Sequence, residues 1–165
     1  MTKKQFYDSC ERELWKQVSR NMPWTEKQLA KHVDKIDWSE LSNNEEMQWT
    51  ESILSKYSNR FDWDDLSCND APFLKTASIV KQFADKWNWD RKIDRVNWTH
   101  ELIKDLKDYI DWDDMFCYDT DKAEWLLKHF EEEILSTITK NSKYFGMYAE
   151  RNWRNLMDKI NAEDI

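Results

Sequence analysis

The sequence predicts an all-α protein: a short-repeat α-solenoid of about five units of ~25 residues, closed by helical caps. Three observations lead there. A phrase recurs, reading WTESILSKYSNRFDWDDLSCN at residues 49–69, WTEKQLAKHVDKIDWSELSNN at 24–44 and WTHELIKDLKDYIDWDDMFCY at 98–118, each with a step of 14 from its first tryptophan to its second. A looser copy, FLKTASIVKQFADKWNW at 73–89, has a step of 16 between its end aromatics. Inside each copy the apolar residues recur every three or four positions, the spacing of one helix face. Strand signals are lacking, with no Gly-bearing hairpin turn and no sustained alternation.

The elements follow in chain order. Residues 1–23 read as an N-terminal cap and half repeat. There Phe6, Cys10, Leu14 and Val18 step by four as one helix stripe, and Trp15 to Asn21 matches the tail of the phrase. Residues 24–118 are the tandem repeats. Thr25, Thr50 and Thr99 stand where a helix N-cap belongs, Thr25 with Gln28 as a capping box, and Trp24, Trp49 and Trp98 precede them as hydrophobic staples. Behind the caps run the stripes Leu29–Val33–Ile36, Ile53–Tyr57–Phe61, Ile79–Phe83–Trp87 and Leu102–Leu106–Ile110. Each unit is thus expected to be one helix of about three turns. A second, very short helix follows, capped by Asp37, Asp62 or Asp111. Trp38 and Trp63, which open those short helices, are expected to form the interlocking core between neighbouring units. Residues 119–165 form a C-terminal helical cap. One helix is expected over 119–140 with Trp125, Phe130, Ile134 and Ile138 inward, and another over 143–160 with Phe145, Ala149, Trp153, Leu156 and Ile160 inward. The 165 residues read as a single repeat domain.

Composition narrows the class. Charged residues make up 35% and aromatic residues 15%, enough of the latter for a proper core. One Gly among 165 residues leaves few positions free to adopt positive φ, so Asn21, Asn44 and Asn69 are expected to end their helices in its place. No apolar run is long enough for a membrane span and residues 5–12 are no signal-peptide core, which points to the cytoplasm. Cys10, Cys68 and Cys117, an odd set with no CxxC, fit reduced thiols there.

The phrase DW-x-x-L-S-x-N, clearest at residues 37–44 and 62–69 and followed by a Trp-[ST]-Glu helix start, resembles the tandem Trp-rich repeats of bacterial, phage and large-DNA-virus proteins. The resemblance covers roughly residues 15–118. The fourth copy departs from it, with Asp90-Arg91-Lys92-Ile93 after Trp89, and the fifth has Met115-Phe116 in place of Leu-Ser. The resemblance implies a repeat fold and points to a phage or viral origin; it implies no reaction.

Catalytic chemistry finds no support. His32, His100 and His129 make no HExxH pair, a Gly-rich phosphate loop is excluded by the single Gly, and no carboxylate pair stands out. Asp62-Trp63-Asp64-Asp65 and Asp111-Trp112-Asp113-Asp114 lack calcium-loop spacing and a distal Glu, so neither a metal nor another cofactor is expected. Charge is the more informative signal. Net charge is −7 over residues 37–70 and −8 over 101–133, with +3 over 71–100 between them. If the units stack, Glu40, Asp64, Asp65, Asp113 and Asp114 form an acidic ladder. The expected function is non-catalytic binding of another protein with a basic surface. The alternative is a phage- or virus-type inhibitor whose acidic face mimics nucleic acid and blocks a nuclease or other defence protein. Direct nucleic-acid binding is disfavoured by net repulsion of phosphate.

Overall fold

In a computed structural model describing residues 1–112, 114–115, 123–137, 154, 157–158 and 160–162, the recurring phrase folds as pairs of short helices. Among the described residues every regular element is helical. The chain divides into two compact units, residues 1–106 and 107–165. The first holds α1 (Lys3–Asn21), α2 (Glu26–His32), α3 (Trp38–Ser42), α4 (Glu51–Tyr57), α5 (Trp63–Cys68), α6 (Ala77–Gln82), α7 (Trp89–Lys92) and α8 (His100–Leu106). Two 3-10 turns interrupt it, Pro72–Lys75 and Ile93–Arg95. The second unit contains a 3-10 turn, Lys107–Tyr109, then α9 (Ala123–His129) and α10 (Glu131–Thr137).

The helix starts are made locally, as the cap residues require. Thr25 Oγ1 accepts from Gln28 N–H while Gln28 Oε1 accepts from Thr25 N–H, closing a capping box. Thr50 and Thr99 accept from the N–H of Ile53 and Leu102, both at 3.2 Å. Asp37, Asp62 and Asp111 cap the helical turns that follow them. Thr2 and Gln5 close a further box on α1 that the repeat pattern does not announce.

The first helix of each unit is shorter than expected. α2 and α4 have 7 residues each, two turns rather than three. The chain then tightens into i→i+3 turns, with Lys35 N–H donating to His32 C=O and Arg60 N–H to Tyr57 C=O. Because such turns stay right-handed, Ile36, Phe61 and Trp87 continue the stripe inward and are buried. Among the described residues none sits at positive φ, so the expected left-handed Asn caps do not form. Asn44 and Asn69 act through their side chains instead.

Those side chains fasten each short helix to the one before it. Asn44 Nδ2 donates to the carbonyls of Ser19 and Met22, and Asn69 Nδ2 to those of Ser42 and Asn44. Ser19, Ser42 and Ser67 accept, through Oγ, from the N–H of Asp37, Asp62 and Asn88 at 2.9–3.0 Å. Main-chain groups at a helix end would be left unpaired by burial; here they are satisfied from one copy to the next. The series stops in the fourth copy, where Ile93 and Arg95 occupy the Ser and Asn positions.

The tryptophans sort differently from the expectation. Trp24 and Trp49, 2% and 5% exposed, are sunk in the core, their indole N–H groups donating to Val18 C=O and Asn44 C=O. Trp38 and Trp63 are only half-buried, though each does meet the following copy: Trp38 packs on Tyr57 and Phe61, and Trp63 on Phe83 and Trp87. Opening a one-turn helix, these rings lie at the rim, where Arg60 caps Trp38 at 5.5 Å.

α1 reverses its expected orientation. Phe6, Leu14 and Val18 are exposed, Leu14 by 64%, and so is Cys10, because the helix packs on α3 from the side that carries Trp15 and buried Ser19. In the second unit the single helix expected over 119–140 is two helices meeting at Phe130, which is buried with Leu126 and Ile134. Ile138, Phe145, Ala149, Trp153, Leu156 and Cys117 lie outside the described residues, and Ile160 is exposed.

Candidate binding face

The short helices place the acidic ladder. In α3 and α5 the carboxylates lie in the first turn behind a capping Asp, where a helix N-terminus favours negative charge. Adjacent copies meet along this side. Ser39 Oγ donates to Asp65 Oδ2 at 2.9 Å, and Asn88 Nδ2 donates to Asp64 Oδ1 at 2.8 Å. Glu40 Oε2 pairs with Arg20 Nη1 at 3.1 Å. Glu40, Asp64 and Asp65 therefore belong to one side of the first unit. Asp114 lies in the second unit, and Asp113 lies outside the described residues.

The three carboxylates are not equivalent. Asp64 and Asp65 receive hydrogen bonds from neutral groups, which orient a carboxylate without cancelling its charge. Glu40 faces a guanidinium and is largely neutralised. The next copy brings Arg91, whose guanidinium is held above its usual pKa by a hydrogen bond to Cys68 Sγ and, more weakly, by Asp64 and Asp65. The uncancelled acid on this side is concentrated at Asp64 and Asp65, with a cation at its edge.

Elsewhere the charges join copies in pairs: Glu11 with Lys35, Glu26 with Lys56, Asp105 with Lys81, and Asp70 with both Lys75 and Arg95. Asp70 is held below the usual carboxylate range by its bonds to Lys75 and then Arg95. A cleft of about 400 Å³ opens beside α1, lined by Asp8, Glu11, Arg12, Trp15, Lys35 and Asp37, and its lysine already sits over Trp15 and bonds Glu11. Among the described residues no three His, Cys, Asp or Glu side chains converge as metal ligands would. His32 packs between Trp15 and Trp24, and His129 stacks on Trp125. Among the described residues no helix is long and apolar enough to cross a membrane.

Two features escape the first reading of the sequence. Ser42, Ser67, Asn44 and Asn69 are visible as part of the phrase, but nothing in the chain's order says that they bond the preceding copy. Lys92 is fully buried three residues after Trp89, where Leu41 and Leu66 follow Trp38 and Trp63. Aligning the copies on the second tryptophan would have found it. Comparison of the chain with protein-family models, curated proteins and solved structures finds no match.

Proposed function

We propose that the chain is a short-repeat α-solenoid that binds another protein, one with a basic surface, through the acidic side of its one-turn helices. The observation that carries this reading is the pair Asp64 and Asp65: exposed or half-exposed, held in place by Asn88 and Ser39, and not cancelled by a partner charge of their own copy. Fixed carboxylates of this kind contribute more to orientation and association rate than to raw affinity. The repeat reading is supported by the bonds from Ser19, Ser42 and Ser67 and from Asn44 and Asn69, which recur at the spacing of the phrase. Catalysis has no part in the proposal.

The test is charge reversal. Affinity capture with the wild-type chain supplies the partner, and association is then followed against salt for the wild type and for a variant with Asp64, Asp65, Asp113 and Asp114 changed to Lys. Asp64 is exposed and Asp65 and Asp114 are half-exposed, and surface carboxylates contribute only about 0–1 kcal/mol each to folding, so the variant should stay folded, slightly weakened by Lys in the first turn of α5. Its association rate should fall by roughly tenfold or more at low salt, and the salt dependence should flatten, since the Debye length is ~8 Å at physiological ionic strength. Equal rates for a folded variant would show that the ladder only solvates the protein.

A further inference from the structure

In the fourth copy a lysine replaces the apolar anchor of the short helix. Leu41 and Leu66 are fully buried, and Lys92, at their position in α7, is 0% exposed as well. Its ammonium has no hydrogen-bond partner. Nζ lies 4.2 Å from the centroid of the Trp87 ring, whose π face attracts a cation but supplies no acceptor for its three N–H donors.

The charges around it make the placement worse. From the 3-10 turn before α6 comes Lys75, and from the 3-10 turn after α7 comes Arg95; both repel the ammonium. Asp70 attracts it, but Asp70 is already shared by Lys75 at 2.7 Å and Arg95 at 2.6 Å. Cys68, at the end of α5, favours the ammonium more weakly. Burial, with Lys75 and Arg95 behind it, brings the Lys92 pKa down to about 8. Near neutral pH the copy thus closes over a charge that water would solvate better. α7 is also short, and it lacks the Ser and Asn side chains that fasten the earlier copies.

We propose that Lys92 is a charge-operated latch: with its ammonium protonated, residues 89–95 open locally so that Nζ reaches water, and with the charge removed the segment stays shut. The opened segment brings Lys92 into water beside Arg91 and Arg95, with Asp90 and Asp94 in the same stretch. The sign follows from linkage. A lysine whose folded pKa lies below its free value of 10.5 opposes closure fully below about pH 8, and ceases to oppose it as the pH rises through 10.5.

The test uses the full chain with Lys92→Leu, the residue of the copies at 24–44 and 49–69, and Lys92→Met, the residue of the fifth copy and close to lysine in length. Hydrogen exchange is followed by mass spectrometry at pH 7. Exchange of residues 87–96 should slow by tenfold or more in both variants, with residues 53–66 unchanged within about twofold. Chemical unfolding between pH 7 and 9.5 should show the wild type gaining stability relative to Lys92→Met as the pH rises. Equal or faster exchange in either folded variant overturns the latch, as does a wild-type–variant difference that is flat in pH. If neither variant folds, Lys92 is a structural requirement and the latch is overturned too.

Discussion

Trp49→Ala should lower the unfolding free energy by about 3–5 kcal/mol, the range for deleting a core aromatic. Trp49 is buried in the same cluster as Ile53, Phe61 and Leu66, its ring meets Phe61 at 5.5 Å, and its indole N–H donates to Asn44 C=O at 3.0 Å. Alanine removes the apolar surface, leaves a cavity between two copies and takes one of its two donors from Asn44 C=O, which keeps the bond from Asn69 Nδ2. Trp63→Ala should cost less, about 1–3 kcal/mol, because that ring is half exposed and water already covers one side of it. Urea unfolding of both variants checks the order. Equal losses, or a larger one for Trp63, would place the core at the rim tryptophans after all.

Asn69→Ala should be nearly as damaging, at about 3 kcal/mol, although it removes few apolar contacts. The side chain is buried, donates to Ser42 C=O at 2.8 Å and Asn44 C=O at 3.2 Å, and accepts from Ala71 N–H at 2.9 Å. Ser42 C=O and Ala71 N–H lose a partner, whereas Asn44 C=O keeps the indole N–H of Trp49; each unsatisfied buried group costs about 1–3 kcal/mol, a sum reduced if water enters the space. Asn43→Ala is the control. Its amide bonds only Ser39 C=O within its own helix, and the change should stay within about 0.5 kcal/mol. Thermal or urea unfolding of the pair decides the matter, and similar midpoints for the two variants would remove the fastening role from Asn69.

The repeating phrase made much of the local structure legible. Thr25, Thr50, Thr99, Asp37, Asp62 and Asp111 cap helical segments because a cap needs only a side-chain oxygen and an N–H two or three residues on. The stripes from Leu29 to Ile110 point inward because helix periodicity fixes a face within one segment, and of their twelve residues only Val33 is less than fully buried. Helix lengths were less legible, since the right-handed turns after α2 and α4 carry the same apolar spacing as a third helical turn would.

Contacts made across copies were decided by the tertiary structure. The stripe of α1 has the same periodicity as the others, yet Phe6 and Leu14 face away from the unit, because a period identifies a face and not what lies opposite it. Trp24 and Trp38 are the same residue type in the same phrase. Trp24 is sunk in the core with its N–H on Val18 C=O, whereas Trp38 is half-buried with its Nε1 unpaired. The ladder shows the same division: the sequence spaced Glu40, Asp64 and Asp65, but only packing gave Glu40 an arginine 20 residues away and gave Asp64 and Asp65 neutral donors. Lys92 is the limiting case. Alignment of the copies puts it at the position of Leu41 and Leu66, but it is a buried charge only because the neighbouring residues close over that position. Desolvation is a property of what surrounds a group, and that surrounding is assembled from residues far apart in sequence.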